Sequence, residues 1–351
     1  MHFPIAGITV SPLLPVVVGF LIASICSPCG VSGVFLLVPF QMSFLGFVSP
    51  AVSSTSQLYN IIGLPGGVMR YIKEGRMAWG LFWVMVIGTL PGMAAGALIR
   101  VRYLTDPKDF KVFVGMILLY PGFRLLNEAL LRFGKKKEKN LAVERELIQQ
   151  AEVMEGDAAA EVVACLEETE AVSVPKMARC LPKEAVITGR SLSLKTIEYD
   201  FWGETYTVNT MVIAVMSLVV GVISGIYGIG GSVFTASFIV AFLGLPVFTI
   251  AGATLGAAFV ASTFGVIFYM LLALTPLGAG SAVSPDWLLG LLFGIGGFAG
   301  NYFGAFLQKF VPDRLARGTM GTLVTSLAVA YVGQYFLVFA GPVLQTVRAI
   351  F

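Results

Sequence analysis

The chain has 351 residues, 57% of them hydrophobic and only 12% charged, with a net charge of +3 and a mean hydropathy of +0.86. Soluble domains carry about 25% charged residues, so the composition excludes a water-soluble globular enzyme, and so small a net charge does not call for a nucleic-acid partner. The apolar runs are continuous and do not alternate, which points to membrane helices and away from a membrane barrel.

No Lys or Arg precedes Arg70, so the N-terminus lacks the basic flank of a cleaved secretory signal. The single histidine, His2, sits at the terminus and argues against a histidine metal site or a histidine base. Helical pieces are expected at about 13–26, 31–47, 51–70, 77–100 and 110–132. The first two are short for a ~30 Å hydrocarbon core. Between them lies "CSPCGVSG" (26–33), a break in an otherwise apolar run. Irregular backbone survives in lipid only when buried in protein or lining a wet cavity. A helix start following such a break presents free N–H groups and its positive dipole end, which favours an anion. The next piece opens with "SPAVSSTSQ" (49–57) and supplies Ser53, Ser54, Thr55, Ser56 and Gln57. Hydroxyl and amide donors of this kind suit a tetrahedral oxyanion. Farther on, Gly88, Gly92 and Gly96 place small residues on one face, the arrangement that lets helices approach closely in lipid.

Charges then crowd. Between Gly134 and Thr205 stand 10 Lys/Arg and 14 Asp/Glu, more than half of all the charges in the chain. This marks a soluble insert, with polar helices expected at 140–152 and 158–171 and a weakly alternating strand at 191–201. It carries no catalytic motif and reads as a linker or small regulatory module. The division is a first membrane repeat (1–133), the insert (134–205) and a second membrane repeat (206–351).

The second half repeats the first. "CGVSGVF" (29–35) aligns with "YGIGGSV" (227–233), "FLG" (44–46) with "FLG" (242–244), Thr55 with Thr254 after a one-residue shift, Trp79 with Trp287, and Gly88, Gly92 and Gly96 with Gly296, Gly300 and Gly304. Its pieces are expected at about 211–224, 230–245, 249–274, 287–309 and 315–340. The two glycine-bearing helices are expected to pack on each other. "KKKEK" (135–139) favours the cytoplasmic side. With an odd number of crossings per half the repeats are inverted, placing Arg70, Lys73, Arg76, Lys309, Arg314 and Arg317 inside and leaving Arg100, Arg102, Lys108 and Lys111 as misfits outside. Six against four favours inversion. The fold class is therefore all-α and membrane-integral: two inverted repeats of about five helical pieces, with glycine-broken short helices and a soluble cytosolic insert.

"GVSGVFLLVPFQ" (30–41) and "GIYGIGGSVFTAS" (225–237), each followed by a Thr-bearing helix start, resemble the paired signatures of the TauE/SafE-type sulfite exporter family, also called toluene sulfonate uptake permeases. The resemblance covers about 13–130 and 210–340. It implies a multi-pass carrier, in a bacterial inner membrane, for sulfite, thiosulfate or organosulfonates. Gly30, Ser32, Gly33, Pro39, Thr55 and Ser56 fall on the first signature. Gly225, Gly228, Gly230, Gly231 and Thr254 fall on the second. The chain departs from the pattern with Cys26-Ser27-Pro28-Cys29, where the family usually has glycine, and with its long insert.

The candidate substrate-binding residues are Cys29, Gly30, Ser32, Gly33, Ser53–Gln57, Gly228, Gly230, Gly231 and Thr254. The Cys26/Cys29 pair admits three readings: small apolar filler, soft contact to a sulfur-bearing substrate, or redox or metal chemistry. A membrane thiol-disulfide oxidoreductase using this pair is the rival function, though it gives no reason for the duplicated break. A metal-cation carrier is disfavoured by the lack of acidic and histidine ligands, and no cofactor is expected. No acidic or basic residue stands at the centre of a predicted span, so the inside-negative potential, worth ~2.3 kcal/mol per charge per 100 mV, favours export of an anion. The expected partners are a small anion and the lipid bilayer, and a homodimer is left open.

Overall fold

The computed structural model describes residues 1–26, 32–73, 75, 77–130, 187–193, 195–201, 204–239, 243, 245, 247–278, 282–307, 318 and 321–333. Helices dominate. They are α1 (Leu13–Cys26), α2 (Val34–Ser43), α3 (Ala51–Gly63), α4 (Pro65–Lys73), α5 (Trp79–Arg102), α6 (Pro107–Leu130), α7 (Thr210–Tyr227), α8 (Ser232–Phe238), α9 (Val247–Ala273), α10 (Trp287–Leu307) and α11 (Gly321–Gly333). Among the described residues three are long and apolar enough to cross a membrane: Trp79–Arg102, Thr210–Tyr227 and Thr249–Ala273. At 1.5 Å per residue, α2 and α8 reach only ~15 Å and ~10 Å, half a bilayer core or less.

The expected single piece at 51–70 is two helices. Pro65 has no N–H to give to the turn before it, so the ladder stops at Leu64, whose own N–H still reaches the Asn60 carbonyl at 2.9 Å.

The all-α expectation is corrected by two small antiparallel sheets. Residues 2–9 form a hairpin of β1 (His2–Phe3) and β2 (Ile8–Thr9). The second sheet joins β3 (Ile187–Leu192), β4 (Thr196–Phe201) and β5 (Glu204–Asn209) in that order. The weak alternation at 191–201 thus belongs to two strands flanking a turn at Ser193. Strands this short alternate over too few residues to stand out beside membrane helices. The sheet docks on the helices: Ile187, Ile197, Tyr199 and Val208 are buried with Met77, Leu81, Leu245 and Ile250. Tyr199 shares a hydrogen bond with Thr249 Oγ1 at 3.1 Å, and the Ile187 N–H reaches the Gly75 carbonyl at 2.9 Å. Burial pushes the Tyr199 phenol above its ordinary pKa. β5 runs directly into α7, where the Asn209 side chain accepts from the N–H groups of Met211 and Val212 and caps the helix. The polar helices expected at 140–152 and 158–171 lie outside the described residues.

The expectation that the two glycine-bearing helices pack on each other is also corrected. Each packs on the first helix of the other half. A Cβ on Gly88 would sit 2.6 Å from the Ala214 carbonyl oxygen of α7, and Gly92 and Gly96 lie as tightly on the carbonyls of Leu218 and Val222. On α10, Gly296 and Gly300 meet the carbonyls of Val16 and Phe20 of α1. Val16 stands to Ala214, and Phe20 to Leu218, at the same offset that aligns Gly30 with Gly228. The contact is mutual, since Gly19 of α1 lies on the Phe293 carbonyl, and Gly221 and Gly225 of α7 lie on those of Thr89 and Met93. Glycine is needed here because only a missing Cβ lets two helix backbones come this close.

Candidate functional site

The centre of the molecule is α3. Ser53, Ser54, Thr55, Ser56, Gln57 and Asn60 are all at most 1% exposed. A helix polar on every side is unstable among apolar neighbours unless those neighbours offer partners. Here they do, because irregular backbone surrounds it.

Each side chain has a separate task. Ser53 Oγ donates to the Ile226 carbonyl at 2.7 Å, close to the end of α7. Ser54 Oγ donates to the Val283 carbonyl at 2.9 Å. Thr55 Oγ1 accepts the Asp286 N–H at 2.9 Å, and Asp286 in turn caps α10 through the Leu289 N–H. The other carboxylate oxygen of Asp286 accepts the Ala6 N–H of the N-terminal hairpin at 3.2 Å. Ser56 Oγ accepts from Gln41 Nε2 of α2 at 3.1 Å. Gln57 is fully buried with neither its Nε2 nor its Oε1 paired. It lies beside Met93 of α5 and Gly265 of α9, where only a glycine leaves it room.

The second break is fully described. α7 ends at Gly228 with φ +96°, and Gly230 (φ +79°) and Gly231 (φ +82°) are also left-handed. Three such residues in four turn the chain sharply before α8 begins at Ser232, two residues later than expected. The expectation that these glycines bring backbone to a ligand is modified: Gly228 lies on the Ser53 backbone, and Gly230 on Ser262 Oγ and Asn60 Nδ2. They bring the break against α3. Tyr269 of α9 completes the wall by donating to the Gly225 carbonyl at 2.6 Å.

Of the first break, Cys29 and Gly30 lie outside the described residues. Ser32 and Gly33 open α2 at Val34, and Ser32 Oγ accepts the Val34 N–H at 3.4 Å, so one of the helix-start donors expected to be free is occupied. Cys26 is fully buried at the end of α1. Gly33 lies against the Tyr59 ring, whose hydroxyl is buried and unpaired. Thr254 bonds back to Ala251 of its own helix at 3.1 Å.

Asn60 joins the two breaks, and sequence reasoning missed it. Its Oδ1 accepts from Ser32 Oγ at 3.2 Å, while its Nδ2 donates to the Ile229 carbonyl at 2.8 Å and to Ser262 Oγ at 3.4 Å. The signal was present: Ser53, Gln57 and Asn60 follow the i, i+4, i+7 spacing of one helix face. The two short helices also meet directly. The rings of Phe35 on α2 and Phe234 on α8 lie 5.6 Å apart, and Tyr227 at the end of α7 donates to the Phe35 carbonyl at 3.0 Å.

Interrupted helices gathered on a buried polar helix, inside a bundle with membrane-length members, are the architecture of a membrane transport protein. The family model described as sulfite exporter TauE/SafE matches residues 15–331, nearly the whole chain. The protein belongs to that family, whose members are transporters and not enzymes. No curated protein and no solved structure matches the chain.

Proposed function

We propose that the protein carries small sulfur-containing anions (sulfite, thiosulfate or organosulfonates) outward across a bacterial inner membrane, as two inverted repeats with the insert 134–205 on the cytoplasmic side. The observation that carries this reading is the fully buried, unpaired carboxamide of Gln57, one turn from the Asn60 clasp that joins the two breaks. A buried amide without partners costs ~1–3 kcal/mol, and an oxyanion accepting from Nε2 repays it. The reciprocal packing of α5 on α7 and of α10 on α1 supports the duplicated architecture.

In this mechanism the anion sheds water into a cradle formed by the Ser53, Gln57 and Asn60 face of α3 and by the second break. Gln57 Nε2 is the free neutral donor that holds it, while the donors of Ser53 and Asn60 are engaged with the Ile226 and Ile229 carbonyls until the break moves, so the anion is bound without being trapped. Because α3 is sealed from solvent, this form is the occluded one, and access requires the clasp between Ser32, Asn60 and Ile229 to open toward one side at a time. Inside-negative potential drives the anion out at ~2.3 kcal/mol per charge per 100 mV.

The test is reconstitution. Purified protein is screened for binding of sulfite, thiosulfate, sulfoacetate, taurine and sulfate, and flux is then followed in vesicles under an imposed potential. Saturable sulfur-anion flux that follows the potential is expected. Absence of binding to every member of the panel overturns the reading.

A further inference from the structure

The mechanism above leaves one buried charge unused. Arg100, in the last turn of α5, is fully buried. Its Nη1 donates to the Leu104 carbonyl and its Nη2 to the Val48 carbonyl at 3.4 Å. The guanidinium lies over the Phe110 ring, 3.6 Å from its centroid. Its Nε–H is buried and unpaired, and among the described residues no carboxylate pairs with it. Carbonyl dipoles and an aromatic face solvate a cation but do not neutralise it. A desolvated charge left without a counter-ion is among the costliest features a fold can keep, and in a membrane it marks a pathway more often than a scaffold.

Its surroundings point the same way. Val48 precedes the start of α3, whose first N–H groups are already engaged, Ala51 with the Ala282 carbonyl and Val52 with the Ser49 carbonyl, so what that helix adds here is the positive end of its dipole. Ser49, next in the chain, has a hydroxyl that is likewise buried and unpaired. On the other side Tyr269, buried in one cluster with Ala97 and Val101 of α5, holds the Gly225 carbonyl beside the second break. A full positive charge with one unpaired N–H, a spare hydroxyl one residue from the Val48 carbonyl that it binds, and the dipole of α3 thus stand just before the polar row of that helix.

We propose that Arg100, with Ser49 and the start of α3, forms a second anion station, where the transported oxyanion meets a full counter-charge on its way to or from the neutral cradle at Gln57. The inference rests on the anion-carrier reading. A strong site at the centre would hold the anion too tightly to release it, whereas a charge placed at one end raises the local anion concentration without blocking turnover. The opposing reading is structural, with Arg100 present only to satisfy the carbonyls of Val48 and Leu104.

Sulfite binding to purified protein by titration calorimetry, together with the thermal midpoint, separates the two. Arg100→Gln is expected to weaken sulfite about tenfold or more, the weight of one charge at interior distances, with Arg100→Lys recovering most of the loss. A lower midpoint with sulfite affinity within twofold of wild type overturns the station and leaves Arg100 a structural cap. Should Arg100→Gln not fold, Ser49→Ala carries the test: a severalfold weaker affinity supports the station, and an unchanged one overturns it. Chloride and phosphate are run in parallel. If wild type binds one of these but no sulfur anion, and Arg100→Gln loses it, the station stands while the sulfur reading falls. If every variant binds sulfite alike, the sulfur reading stands and the station falls. If wild type binds no anion, both fall.

Discussion

Gly228→Ala tests whether the second break is pressed against α3. The substitution meets two penalties. Gly228 has φ +96°, and forcing an L side chain into the left-handed region costs ~1–2 kcal/mol. The new Cβ would lie 2.5 Å from the Ser53 carbonyl oxygen and 3.0 Å from the Ser53 Cα. Those atoms belong to a helix backbone and cannot swing away, so the break must retreat, an overpacking cost of ~1–3 kcal/mol. The sum is ~2–5 kcal/mol. Gly46→Ala is the control: its φ is +70°, but nothing lies within 4 Å of the added carbon, so it incurs only the first penalty. Denaturant unfolding in mixed micelles measures both variants, and vesicle flux reports the consequence. A retreating break also lengthens the Ser53–Ile226 and Asn60–Ile229 bonds, so Gly228→Ala loses transport while Gly46→Ala keeps it. Equal destabilisation of the two variants refutes the packing argument.

Asn60→Asp keeps the acceptor for Ser32 but turns the donor facing the Ile229 carbonyl into an oxygen; transport and sulfite binding are expected to fall at least tenfold, with Asn60→Ala losing less affinity, as read by flux and calorimetry. Gly92→Ala and Gly300→Ala push on equivalent backbones, Leu218 and Phe20, so each costs ~1–3 kcal/mol and the two costs match, whereas Gly189→Ala, with open space around it, leaves unfolding unchanged. Tyr199→Phe removes the bond to Thr249 and costs ~1 kcal/mol in the same unfolding assay. Because the folded pKa of Tyr199 lies above its ordinary 10.0, the stability from its buried neutral phenol is complete below that pH and is lost as pH rises toward the folded value; unfolding between pH 9 and 11 shows a steeper decline in wild type than in Tyr199→Phe, which keeps the other buried tyrosines.

The sequence was most legible where one physical constraint acted alone. Apolar run length placed α1, α5, α7, α9 and α10 within a few residues, because only a helix satisfies its own backbone in lipid. Glycine spacing announced close packing but not the partner, since a bare face fits any helix that presents a matching backbone. The hydroxyls after Ser49 identified the polar helix, yet their individual roles depended on which irregular segments fold around it. Asn60 escaped because the search for donors stopped at the helix start, whereas its job is set by two loops distant in sequence. Arg100 was counted among the loop cations. Its last-turn position on α5 hides it beneath Phe110.

The exchange of partners between the halves has a consequence for how the chain is made. When α5 leaves the ribosome, its glycine groove has no occupant, because α7 is encoded far downstream, from Thr210 on. α1 waits still longer, until α10 emerges. Neither half is a self-sufficient unit during synthesis, so the nascent first half must be sheltered by lipid or by the insertion machinery. Once both arrive, they close like two hooks caught in each other, and pulling either half out means unwrapping both.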